Sequence, residues 1–366
     1  MDFQTHLKDF LASFEPYAQK YFQNKIKEVS KYHPLIVQFY KDLADFSSGG
    51  KRMRAFLVYL GYLIGTHLRF NPSDGLNLQK DFQKILPIAL AIEIIHSFLL
   101  IHDDIIDKSD MRHGAPTIHR RYEKLVGSPP AVRLRDEAGH YGLSQAILLG
   151  DIACFEAFSL INSSSFDNDL KVICQGQLIK TLLNTGYGEA LDVEAPYRGA
   201  TLAQIRQVMD LKTARYSFVG PLSLGAILGG AGKEQISSLT KFGLSCGMAF
   251  QLKDDILGVF GDEKVTGKPM DFSEGKNTML IYKTYELVNA KEKAYLKKIW
   301  GNKNANSGDL KRVGQIIRDC GALAWCEKEQ VKLANAAKKV IFDITNDKEL
   351  QIIFEQIADF VIGREK

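Results

Sequence analysis

Apolar residues recur every three to four positions along most of this chain. They do so in IVQFYKDLADF (36–46), ILPIALAIEIIHSFLLIHDDIID (85–107), LSQAILLGDIACFEAFSLI (143–161), VICQGQLIKTLLNTGYGEALDVE (172–194), ISSLTKFGLSCGMAFQLKDDILGVF (236–260) and LQIIFEQIADFVIGREK (350–366). That spacing lines one face of an α-helix. Alternating strand patterns are scarce and no strand–helix alternation occurs, so the pattern predicts an all-α fold, a bundle of long helices. It breaks at SSGGK, NPSDG, RHGAP, VGSPP, EAPYRGA, GGAGK, GDEKVTGKP and NKNANSGD, all turn-forming. Residues 124–140, with Pro129, Pro130 and several charges, read as a surface loop dispensable for chemistry.

The run 85–101 is the best candidate for a membrane span, but Glu93 and His96 interrupt it and aspartates follow at once. A bilayer helix needs ~20 predominantly apolar residues, so this one reads as a buried core helix and the protein as not membrane-spanning. The 366 residues are 45% hydrophobic and 25% charged, enough for a large core. No linker or fixed-period repeat divides them, which predicts one domain over residues 1–366. The net charge of +4 is scattered, without the basic stripe that nucleic-acid binding requires. Five cysteines without C-x-x-C spacing, and no secretory signal before them, point to reduced thiols in a cytoplasmic protein.

The chemistry concentrates where apolar helices run into acids. Asp103 and Asp107 are four residues apart and share a helix face, whereas Asp104 lies about 100° round from Asp103. Paired carboxylates one turn apart suit Mg²⁺, which takes oxygen ligands and shares them with substrate phosphates. The helix ends soon after Asp107, and its negative pole disfavours carboxylates there by about 0.3–1 kcal/mol each, so cations are expected nearby. A second apolar helix ends in Asp254 and Asp255, with Asp262 two turns further on. Acids that hold Mg²⁺ imply a phosphorylated substrate and basic partners for it. Lys51 and Arg54 supply such partners at a glycine-preceded helix start, and His96 lies two turns before Asp103 on the same face. Lys212 and Thr213 fall in a helical segment, Lys268 on a loop.

In this order the motifs GGKRMR, HSFLLIHDDIIDKSDMRHGAPTIH, LLGD, YGEALDVE, KTARYS, FQLKDD, VTGKP and the terminal REK resemble those of the trans-isoprenyl diphosphate synthases, or polyprenyl synthetases, from residue 49 onwards. The resemblance implies helices around a central cavity, a homodimer, and head-to-tail prenyl transfer from an allylic diphosphate to isopentenyl diphosphate. It implies that Asp103 and Asp107, with Asp104 supporting, and Asp254 with Asp255 hold Mg²⁺, about three ions in all. Arg112, Lys212 and Lys268 would grip the allylic diphosphate. Thr213 and Gln251 would aim oxygen dipoles at the allylic cation. Lys51, Arg54 and His96, with His113, would bind isopentenyl diphosphate without metal.

Three positions depart from the family pattern: His113 stands for the second arginine after the first motif, Gly258 for a third aspartate in the second, and Glu189 for the glutamine beside Asp192. Product length in the family depends on side chains just before the first motif. Phe98, five before Asp103, with the non-aromatic Leu99 four before it, resembles the archaeal pattern for a C20 product, geranylgeranyl diphosphate; a C15 farnesyl product is the near alternative. Terpene cyclisation needs no isopentenyl site, so GGKRMR and His96 argue against it. Non-catalytic synthase subunits usually lose aspartates that both motifs retain here.

Overall fold

The computed structural model describes residues 2–66, 76–112, 114–127, 137–261, 272, 275–302 and 304–364, with 76–81 and 127 in backbone only. As predicted, the fold is all-α. Helices α1 (Phe3–Val29), α2 (Pro34–Phe46), α3 (Met53–Thr66) and α4 (Leu76–Ile106) lead to a two-residue ribbon, β1 (Met111–Arg112) and β2 (Ala115–Pro116). Helices α5 (Ile118–Gly127), α6 (Ala138–Ser163), α7 (Asn168–Arg198) and α8 (Leu202–Val208) follow. A π-helical segment (Met209–Val219) runs into α9 (Gly220–Leu228) and is followed by α10 (Lys233–Phe260). The chain ends in α11 (Met279–Leu287), α12 (Ala290–Ile299), α13 (Ser307–Asp319), α14 (Ala322–Lys339), α15 (Ile341–Ile344) and α16 (Lys348–Gly363).

Two compact units emerge, one of residues 4–175 and the other of residues 1–3 and 176–366, the boundary falling within α7. In the first unit α4 packs on α3 and α6, and α5 on α6. Helix α3 is buried on every side from Ala55 to Gly65, as its continuous apolar sequence requires. In the second unit α10 packs against the π segment, α14 and α16.

The suspected membrane run is a core helix: the apolar window of Phe82–Ile106 is 67% buried inside the protein. Helix α6 is also long and apolar enough to cross a bilayer, but only 39% of its window is buried. The surface loop expected over residues 124–140 is helical at both ends. Helix α5 continues to Gly127 and α6 begins at Ala138; residues 128–136 lie outside the described residues. The RHGAP turn is a hairpin, pairing Met111 with Pro116 and Arg112 with Ala115, with Gly114 at φ 79°. That left-handed geometry is one glycine adopts without steric cost.

Candidate active site

In the first unit, helical hydrogen bonding carries on past α4, with Asp107 N–H donating to the Asp103 carbonyl at 2.8 Å. Asp103 and Asp107 therefore stay on one face. Lys108, at φ 54°, then reverses the chain: Ser109 N–H donates to the Asp104 carbonyl and Lys108 N–H to that of Ile105. This is a Schellman closure with lysine at the position glycine usually takes. The β1–β2 hairpin brings Arg112 back over the helix end. Its Nε donates to both oxygens of Asp104 at 2.9 and 3.0 Å, and its Nη2 to Asp103 Oδ2 at 3.4 Å.

Asp104 is 1% exposed. Burial pushes its carboxyl above the usual range, and Arg112 pulls against that rise. The two adjacent aspartates thus face different surroundings, Asp104 anchoring Arg112 inside and Asp103 standing more open at 25% side-chain exposure. One residue earlier, His102 lies against Gly150, where an added Cβ would come within 2.4 Å of its Nε2. Its ring also meets Phe98 edge-on at 4.9 Å between centroids.

The basic loop before α3 belongs to the same unit. Gly49 and Gly50 sit at φ 83° and 77°, and Arg52 at φ 51°. Lys51 is exposed, while Arg54 and His96 are partly buried. Arg52 was not singled out in the sequence, yet it fixes this loop. Its guanidinium donates to Glu15 at 2.7 and 3.2 Å, to Glu93 at 3.4 Å and to the Ser47 carbonyl. Glu93 also accepts from Ala55 N–H at 3.1 Å, satisfying a backbone donor in the first turn of α3. The sequence signals were a third basic residue in GGKRMR and a lone glutamate in an apolar helix, since a buried charge requires a partner.

In the second unit, the π segment has two physical causes. Pro221 has no N–H and would crowd the carbonyl four residues back in an α-helix; just before it, Gly220 N–H reaches to the Arg215 carbonyl, five residues back. Glycines on both neighbouring helices admit the wider backbone. An added Cβ would lie 2.5 Å from Lys212 N at Gly188 and 2.4 Å from Ala214 Cα at Gly247. Such wide turns recur at functional sites, and this one carries Lys212 and Thr213. Lys212 Nζ lies 2.8 Å from Glu189 Oε2 and 2.7 Å from Asp192 Oδ2. Thr213 Oγ1 donates to Gln251 Oε1 at 2.6 Å, and Gln251 Nε2 donates to Asp255 Oδ1 at 2.8 Å.

The second acid pair repeats the division of the first. Asp255 is 4% exposed and anchors Gln251, whereas the Asp254 side chain is 42% exposed. Asp254 Oδ1 accepts from Arg364 Nη2 at 2.5 Å; the guanidinium stacks 3.6 Å from the Phe250 ring centroid and also donates to the Phe250 carbonyl. The sequence pattern assigns no role to this arginine of the terminal REK motif. A cation thus already sits on each acid pair; the carboxylate oxygens are of the hard kind Mg²⁺ takes, but no group of three or more such ligand side chains is gathered among the described residues. His113 and Lys268, and the outlying Asp262, lie outside the described residues.

The helical fold is that of the isoprenoid synthases, and the chain is a prenyl-transferring enzyme. The polyprenyl synthetase family matches residues 34–317, and the chain belongs to that family. It is 32% identical to a geranylgeranyl diphosphate synthase of Saccharolobus solfataricus over 88% of both chains. It is 29% identical to a geranylfarnesyl diphosphate synthase of Aeropyrum pernix, over 87% of this chain and 92% of that one. A crystal structure of Corynebacterium glutamicum geranylgeranyl pyrophosphate synthase, complexed with isoprenyl diphosphate and magnesium, superposes with a TM-score of 0.87 at 27% identity, covering 98% of this chain and 99% of that one.

Proposed function

We propose that this enzyme condenses isopentenyl diphosphate with an allylic diphosphate to give linear geranylgeranyl diphosphate. The observation that carries the reading is the matched division of labour in the two acid pairs. One carboxylate of each pair is buried and holds a neighbour, and the other stands open beside a cation. Asp103, Asp107 and Asp254 are the proposed Mg²⁺ ligands, with about three ions in the loaded enzyme. Asp104 and Asp255 are assigned to supporting them through Arg112 and Gln251. When bound, Mg²⁺ would act as a Lewis acid, offsetting the charge that grows on the departing diphosphate.

The chain's own groups supply the rest. Lys212 and Arg112 bind the diphosphate of the allylic substrate, with Lys268 assigned to the same role. Thr213 donates its hydroxyl hydrogen bond to Gln251, which turns the hydroxyl lone pairs outward to face the allylic cation. Lys51, Arg54 and His96, with His113, hold isopentenyl diphosphate by charge and hydrogen bonding. The double bond of isopentenyl diphosphate attacks the cation, and the proton then lost passes to the released diphosphate.

Two relatives bear on product length, one named for a C20 and one for a C25 product. Phe98, held edge-on against His102, is the proposed floor for the growing chain, with Leu99 beside it. The two units are proposed as one catalytic domain, since the family match runs through both. Apolar side chains left exposed on α6, among them Ile147, Leu148 and Phe155 at 72%, support a homodimer. The five cysteines, all unpaired, support a cytoplasmic location.

Product analysis tests the reading. Purified protein is given Mg²⁺, labelled isopentenyl diphosphate and dimethylallyl, geranyl or farnesyl diphosphate. Linear C20 product, lost in Asp103→Ala, is the expected result. C15 or C25 product would move the floor, and no incorporation by folded protein would overturn the assignment.

A further inference from the structure

Lys212 is held more tightly than an anion-binding lysine needs to be. An ammonium has three N–H bonds, and here two carboxylates lie at 2.8 and 2.7 Å from it. Glu189 and Asp192 are three residues apart on α7 and so share a face. Gly188 lets that face approach the π segment closely enough for both acids to reach the same Nζ. The three side chains are each about one-fifth exposed, at 20%, 21% and 21% for Glu189, Asp192 and Lys212. Asp192 alone would neutralise and aim Lys212. With Glu189 added, the trio carries a net negative charge at the place where a diphosphate is to be gripped.

We propose that Glu189 is a positioning residue that weakens the hold of Lys212 on diphosphate and thereby speeds release of the products. The proposal rests on the assignment of Lys212 to the allylic diphosphate. Interactions that bind substrate and transition state equally lower KM without raising kcat. A second carboxylate on Lys212 reduces such uniform binding. A long-lived complex with inorganic diphosphate or prenyl diphosphate is avoided in the same way.

Glu189→Gln separates charge from shape, because its amide oxygen still accepts from Nζ while the negative charge is gone. Glu189→Asp keeps the charge on a shorter arm. The affinity of each protein for inorganic diphosphate is measured calorimetrically with Mg²⁺ present, alongside KM and kcat for the allylic substrate. In Glu189→Gln, diphosphate binds about tenfold tighter, KM falls, kcat does not rise, and the difference narrows at high salt. Glu189→Asp stays close to wild type. Unchanged or weaker diphosphate binding in Glu189→Gln overturns the proposal and makes Glu189 a support for Lys212. Wild-type protein that neither binds diphosphate nor forms product overturns the functional assignment, and this inference with it. A wild type that does both, beside an unaltered Glu189→Gln, overturns the inference alone.

Discussion

Arg112 closes on both oxygens of Asp104, at 2.9 and 3.0 Å, and the carboxylate it holds is almost wholly removed from solvent. Removing one member of such a pair strands a buried charge, at a cost of about 3 kcal/mol or more. Arg112→Ala is therefore expected to lower stability by that amount in urea denaturation. Arg112→Ala with Asp104→Asn should recover most of the stability and little of the turnover. Equal losses in single and double variants would contradict a coupled pair.

Arg364 occupies the outer aspartate of the second cluster. With Arg364→Ala, stability in chelator is expected to fall by about 1–2 kcal/mol, from the lost charge-assisted bond and ring stacking. The Mg²⁺ concentration needed for half-maximal thermal stabilisation in the presence of inorganic diphosphate should fall, because the competing cation is gone. An unaltered Mg²⁺ titration would separate Arg364 from metal binding.

His119 is 5% exposed, and burial, followed by the charge of Arg120, holds its imidazole below the usual 6.5. The unfolded chain takes up a proton near 6.5, before the folded chain does, so acid favours unfolding. The stabilisation is complete above about pH 6.5 and is lost as pH falls below it. In His119→Gln, stability measured between pH 7.5 and 5 should decline less steeply than in wild type. Parallel profiles would remove His119 as the cause.

Gly247→Ala would place a methyl group 2.4 Å from Ala214 Cα, a backbone atom that cannot swing aside. The expected cost is about 1–3 kcal/mol, with loss of turnover as Thr213 moves off Gln251. Gly186→Ala, in α7 with nothing within 4 Å of the added Cβ, should instead stabilise by up to about 1 kcal/mol. Thermal melts of the two variants, moving in opposite directions, check both.

Helical periodicity and the acid-terminated runs were legible in the sequence because each depends on residues near one another along the chain. The span 85–107 could be read as a core helix that runs into adjacent acids. The separate fates of Asp103 and Asp104 could not, because they depend on a hairpin that returns Arg112 from eight residues downstream of the buried acid. The π segment was equally hidden: its cause lies in Pro221 together with Gly188 and Gly247, residues that meet only in the fold. Arg52 looked like one more basic residue beside Lys51 and Arg54 until its partners on other helices were seen.

Those partners give the first helix a significance beyond packing. Glu15 lies before the family match begins at residue 34, yet it makes two of the bonds that neutralise Arg52, the residue set at φ 51° between Lys51 and Arg54, the proposed isopentenyl diphosphate ligands. Deleting α1 would leave every recognisable motif in place and strip a counter-charge from a buried guanidinium. Such a trimmed protein would pass inspection by sequence while the loop proposed to bind isopentenyl diphosphate had lost its brace. The N-terminal helix works as a buttress from outside the matched family region, and its removal is expected to show first as weakened affinity for isopentenyl diphosphate.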